Sequence, residues 1–140
     1  MKTLLLTLLM LVSTSALADE HIDIQGFHVG MRNIDFLSHI GDFAIHRTFL
    51  NKNKPALVLG GAEIHHTPGH GCKNQAGCSL LGQGTVDYME FKFDAGQFDQ
   101  IKAMVLEKYP EAKCDDSGCT YQTASEKLIL ESDELSVEAK

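Results

Sequence analysis

The sequence has no tryptophan, few aromatic residues, no basic cluster and, past its first residues, no apolar run long enough to cross a membrane. A transmembrane helix needs about 20 consecutive apolar residues, and the run from Leu4 to Val12 falls short of that. No membrane span is therefore expected. With 19 acidic against 12 basic residues the formal charge is −7. Such a chain repels phosphate backbones, so no nucleic-acid partner is expected. There is no Gly-x-Ser-x-Gly nucleophile elbow. Gly82-Gln83-Gly84 is not followed by a helix start, so it is not a phosphate cradle.

What is present begins with an export signal. Lys2 supplies the positive end, Leu4 to Val12 the apolar stretch, and Ala16-Leu17-Ala18 the small-residue cleavage pattern before Asp19. Residues 1–18 are read as a signal peptide and 19–140 as a single domain, destined for the periplasm or for secretion. Lys2 is the leader's only charged residue, so its removal takes the net charge from −7 to −8. The first cysteine is Cys72, far from the cleavage point. No lipid anchor on the new N-terminus is expected.

Four cysteines, Cys72, Cys78, Cys114 and Cys119, behind an export signal read as disulfides. Three pairings are possible. The local one, Cys72–Cys78 with Cys114–Cys119, is favoured because each pair is close along the chain. Asp115-Asp116-Ser117-Gly118 supplies turn chemistry between the second two sulfurs. A small loop of this kind stabilises by about 2 kcal/mol and a long-range bridge such as Cys72–Cys119 by about 4 kcal/mol, so energy alone leaves the connectivity open.

The clearest local signal runs from Val86 to Pro110. Met89, Phe91 and Phe93 alternate with Glu90 and Lys92, the period of a half-buried strand. Asp94 stands three residues before Gln97, a variant of the capping box. A helix follows over 95–108, stopped by Pro110. On a helical wheel Phe98, Ile101, Val105, Leu106 and Tyr109 share one arc, and Lys102, inside it, must snorkel.

Upstream, His21 to Val29 alternates weakly as an edge strand, broken by Gly30. Met31, Ile34, Leu37 and Ile40 then recur every three residues, which predicts a short helix with that apolar face, ended by Gly41. A strand is expected over 43–49 and a turn over 51–55. Ala56 to Leu59 starts another strand, Gly60-Gly61 marks a bulge or a close approach, and Ala62 to Ile64 continues it. From His65 to Gly84 the chain loses period and reads as a long Gly/His/Cys loop. After the Cys114–Cys119 hairpin, strands are expected over 120–123, 127–131 and 135–137.

This order predicts an α+β fold, an antiparallel sheet packed on one face by two helices. A helix-then-strands unit occurs twice, once from Met31 and once from Ala95. Phe27-His28-Val29-Gly30-Met31, followed by an apolar-periodic helix and Ile40-Gly41, resembles the opening of small periplasmic proteins of the SmpA/OmlA type. Those proteins share a helix-plus-sheet fold with the β-lactamase-inhibitor proteins. Arg32 stands where that family usually places Ser or Thr. The resemblance implies a non-catalytic protein that binds other proteins, and it carries over no site residue.

One constellation bears on chemistry. His65, His66 and His70, beside Cys72 and Cys78, offer ligands suited to Zn²⁺ or copper. Against this, the two cysteines have five residues between them, outside zinc-knuckle spacing. Pro68 and Gly69 also forbid the helix that would align His66 with His70. A Cys72 nucleophile is disfavoured, since a disulfide-bonded sulfur cannot attack. Asp115-Asp116 and Asp133-Glu134 fall in expected turns and read as solvated, and His28, His39 and His46 are scattered. The expected function is an exported, non-catalytic, disulfide-stabilised module that binds another protein, without a cofactor. The alternative is a periplasmic metal-binding protein using the His/Cys loop with Zn or Cu.

Overall fold

The structure, a computed structural model, describes residues 21–45, 53–72, 78 and 83–140. The leader over 1–18 and its cleavage site lie outside the described residues, as does most of the strand expected over 43–49.

The architecture is α+β. The chain opens with a two-stranded hairpin, β1 (Asp23–Ile24) and β2 (Phe27–His28), followed by helix α1 (Asn33–Ile40). A second hairpin joins β3 (Leu57–Leu59) to β4 (Ala62–Ile64). The main sheet is built from β5 (Gly69–Gly71), β6 (Tyr88–Lys92), β7 (Lys113–Cys114), β8 (Cys119–Gln122), β9 (Glu126–Leu130) and β10 (Glu134–Ala139). Its order is β5-β6-β10-β9-β8-β7, all antiparallel. Between β6 and β7 runs a 3₁₀ turn, Ala95–Gln97, that leads into α2 (Phe98–Lys108). The two helices are followed by different things: α1 by a separate hairpin and then the edge strand β5, α2 by four strands of one sheet.

Register places Met89 and Phe91 of β6, Leu135 and Val137 of β10, and Leu128 and Leu130 of β9 on one face. All six are buried, so the alternation in the sequence becomes one apolar wall. Phe27 of β2 meets Phe91 edge-on at 5.6 Å between ring centroids. Phe36 of α1 stacks on His70 of β5 at 4.3 Å, and Tyr109, just past α2, stacks on Tyr121 of β8 at 4.6 Å.

Several local expectations change. The segment over 21–29 is a hairpin rather than one edge strand. Its two-residue loop, Gln25-Gly26, has positive φ at both positions (54° and 88°), the condition for a primed turn that matches strand twist. Gly60-Gly61 reverses the chain in the same way (59° and 84°), so residues 62–64 pair back on 57–59 instead of extending them. The close approach expected there is real. A Cβ on Gly60 would collide with the Gln100 carbonyl and come within 2.9 Å of Met104 Cβ. The region over 65–84 contains the edge strand β5, held by backbone pairing with β6.

The capping box forms: Gln97 Oε1 accepts from the Asp94 amide at 3.2 Å. Tyr109 leaves helical geometry directly before Pro110. Ile101 and Val105 are buried, while Leu106 lies outside the core, 38 % exposed. Lys102 does snorkel, its Nζ reaching the Asp115 carbonyl at 2.8 Å.

Candidate functional site

Helix α1 faces inward differently from its apolar pattern. Ile34 and Leu37 are 50 % and 41 % exposed, and the buried side chains are Asn33 and Phe36. Arg32, at the cap position, makes no cap bond and instead pairs with Asp35, Nε to Oδ2 at 2.7 Å. That contact raises the Arg32 pKa and holds the Asp35 carboxyl below its usual range. The helix start is satisfied from across the chain, where the Asn33 amide donates to the Gly84 carbonyl at 2.8 Å. The strand-like segment at Thr85 and Val86 pairs with Met31 and Arg32 around it.

The Asn33 side chain then joins both ends of the His/Cys loop. Its Nδ2 donates to the Gln83 carbonyl at 3.0 Å, which fixes the amide orientation. Oδ1 therefore faces His70, and the 2.7 Å contact requires a proton on His70 Nε2. The ring is stacked on Phe36, and burial lowers its pKa. The Gly71 carbonyl accepts from the Asp87 amide at 2.9 Å, and Cys72 bonds to Cys78. The base of the loop is thus tied by a buried amide, a backbone ladder and a disulfide.

The three histidines are not gathered into one site. His70 is turned inward on Asn33, His65 lies with its Nδ1 4.0 Å from Glu63 Oε1, and His66 is exposed. Among the described residues no group of three His, Cys, Asp or Glu side chains is placed to hold a metal ion. The strand β5 is what turns His70 away from the other two: paired opposite Met89, its side chain points to the core side of the sheet.

Each edge strand of the sheet ends on a sulfur bridge. Cys72 follows β5 directly and pairs with Cys78. Cys114 of β7 faces Cys119 of β8 across the ladder and pairs with it. Asp115 shapes that hairpin, accepting at Oδ1 from the Ser117 hydroxyl at 2.6 Å, the Ser117 amide at 2.8 Å and the Gly118 amide at 3.1 Å. These bonds, the hydroxyl first, hold its carboxyl below the usual range. Short edges expose little unpaired backbone, which limits sheet-to-sheet association.

A second buried polar group lies at the start of the described chain. Glu126, inward-facing on β9 and 2 % exposed, accepts from the Ile22 amide at 2.9 Å and from His21 Nδ1 at 3.3 Å. Beside it, Tyr109 accepts from the Asp23 amide at 3.1 Å and donates to its carbonyl at 3.3 Å. Burial pushes the Tyr109 phenol up to about 12. Lys108 Nζ also donates to the Asp23 carbonyl. Sequence reading missed both Asn33 and Glu126. For Glu126 the available signal was a polar residue in phase with Leu128 and Leu130; Asn33 lies outside the apolar period of its helix, which pointed to Ile34 and Leu37 instead.

The outer face of the sheet carries Tyr88, Glu90 and Lys92 of β6, Glu134, Ser136 and Glu138 of β10, Lys127 and Ile129 of β9, and Thr120 of β8. All are half-exposed or exposed. Tyr88 donates to Glu90 Oε2 at 2.7 Å and lies 3.4 Å from Glu134 Oε1. Burial first, and then the two carboxylates, raise the Tyr88 pKa, and burial with Glu90 raises that of Glu134. A groove of about 330 Å³ lies beside the Cys114–Cys119 hairpin, with Lys113, Ser117, Thr120 and Ile129 among its walls. No helix among the described residues is long and apolar enough to cross a membrane. Comparison of the chain with protein-family models, with curated proteins and with solved structures finds no match.

Proposed function

We propose that this chain is an exported, non-catalytic module that docks on another protein through the outer face of its six-stranded sheet, in the periplasm or outside the cell. The observation that carries the reading is the contrast between the sheet's two sides. The inner side chains of β6, β10 and β9 are buried, whereas their outer neighbours are half-exposed or exposed. On this reading both helices close the inner face and leave the other for a partner. Tyr88 and Ile129 supply contact area there, and Glu90, Lys127 and Glu134 supply charged hydrogen-bonding groups. The leader pattern and the two oxidised cysteine pairs support an oxidising compartment. The resemblance around Phe27–Met31 points to the same class of non-catalytic binder.

Site-specific photocrosslinking tests this. A photoreactive side chain in place of Ile129, in the exporting cell, is expected to capture a discrete partner that excess unlabelled protein displaces. The same group in place of Glu107, on the exposed side of α2, is expected to capture nothing comparable. Equal capture at the two positions removes the assignment of this face.

A further inference from the structure

We infer that His21 and His28, with the thioether of Met31 beside them, form a binding site for a soft monovalent ion, Cu⁺ or Ag⁺. The site is separate from the His/Cys loop and from the outer face of the sheet, and it depends on neither. All three residues lie on the first hairpin or directly beside it. The His21 and His28 rings have centroids 5.2 Å apart. His21 also leans over the turn that follows β2, its Cε1 3.4 Å from where a Cβ on Gly30 would stand, one position before Met31. Met31 is half-buried, and its Sδ accepts from the His28 amide at 3.4 Å, so the sulfur lies against the same residue.

Each ring has its Nδ1 committed. His21 Nδ1 donates to the Glu126 carboxylate at 3.3 Å, and His28 Nδ1 donates to the Val29 carbonyl at 2.9 Å. A carboxylate and a carbonyl only accept, so both protons sit on Nδ1 and both neutral rings present a bare Nε2. Neither Nε2 has a hydrogen-bond partner among the described residues. Metal-binding histidines hold their other nitrogen in this way, on a carboxylate or a backbone carbonyl. A metal ion about 2.0–2.1 Å from an imidazole nitrogen lies about 3.1 Å from that ring's centroid, so rings 5.2 Å apart are compatible with one shared ion at an angle of roughly 110°. That angle leaves a position for the sulfur. Glu126 holds His21 from behind, so the ligands are two neutral imidazoles and a thioether, with no anion among them. Such a set suits a soft monovalent ion and serves Zn²⁺ poorly.

The test uses the full chain expressed with its leader, disulfides intact, titrated with AgNO₃ and followed by the imidazole nitrogen and methionine methyl resonances. One Ag⁺ is expected to shift Nε2 of both His21 and His28 together with the Met31 methyl. Cu⁺ kept reduced by ascorbate is expected to compete for the same signals, and equimolar Zn²⁺ is not. The first equivalent is expected to bind unchanged in the combined His65→Ala, His66→Ala, His70→Ala variant. Met31→Leu keeps the side-chain volume but removes the sulfur, and it is expected to weaken Ag⁺ binding about tenfold or more. Glu126→Gln keeps an acceptor for the Ile22 amide but turns a donor toward His21 Nδ1, which moves the ring proton to Nε2. It is expected to lower affinity about 10–100-fold, with the reversed tautomer visible in the His21 nitrogen shifts. A chain that takes up no Ag⁺, or shifts at only one of the two rings, overturns the inference. So does an affinity unaltered by His21→Gln with His28→Gln, or by Met31→Leu, in variants whose amide spectra remain folded.

Discussion

Asn33 Oδ1 accepts a hydrogen bond from His70 Nε2 at 2.7 Å, between residues 37 positions apart, while Asn33 Nδ2 reaches the Gln83 carbonyl. One buried amide therefore sets the orientation of α1 and ties down both ends of the His/Cys loop. Replacing it by Ala strands a half-buried imidazole N–H and a carbonyl. The expected loss is about 1–3 kcal/mol of folding stability, read by urea denaturation with the slope of the transition unchanged.

Burial lowers the His70 pKa below its ordinary value of 6.5. In that case the unfolded chain binds the proton first as pH falls. Stability from this group is complete above the unfolded pKa and is lost progressively as pH drops from about 6.5 toward the folded pKa. Denaturation midpoints measured between pH 7.5 and 5 are expected to fall, and His70→Gln is expected to flatten that part of the profile. An unchanged slope in His70→Gln would assign the acid sensitivity to another group.

The two bridges close loops of similar size, with sequence separations of 6 and 5. Replacing either pair by serines is expected to cost about 2 kcal/mol, and the two costs are expected to be nearly equal. A loss nearer 4 kcal/mol on removing one pair would indicate a long-range crosslink. Peptide mapping of the oxidised protein checks the connectivity independently.

Gly60 and Gly61 both have positive φ, but only Gly60 lies against α2. Gly61→Ala has open space around it and meets only the left-handed backbone strain, about 1–2 kcal/mol. Gly60→Ala adds a collision with the Gln100 carbonyl and is expected to lose a further 1–3 kcal/mol or so. Thermal denaturation of the two variants should order them Gly61→Ala above Gly60→Ala. The reverse order would place the turn away from the helix.

The strand at Tyr88–Lys92, the capping box at Asp94 and Gln97, the end of α2 before Pro110, the hairpin between Cys114 and Cys119 and the last two strands were legible in the sequence. Each is governed by neighbours a few positions away. The turns at Gln25-Gly26 and Gly60-Gly61 were partly legible. Glycine marked both places, but the closing of a two-residue hairpin there depends on both residues of each pair taking positive φ, and at Gln25 that is not a residue type that announces it.

By itself the sequence determined the order of elements, the apolar wall of the sheet and which cysteines lie close enough to bridge, because alternation, caps and turns act locally along the backbone. Only the tertiary structure decided which side of α1 is buried, where His70 points and what Glu126 holds. Counting apolar residues put Ile34 and Leu37 inside, but the partners of Asn33 lie 37 and 50 positions away. The partners of Glu126 lie 104 and 105 positions away. A buried polar side chain is stable only when such distant groups converge on it, and that convergence belongs to the packed chain rather than to any window of its sequence.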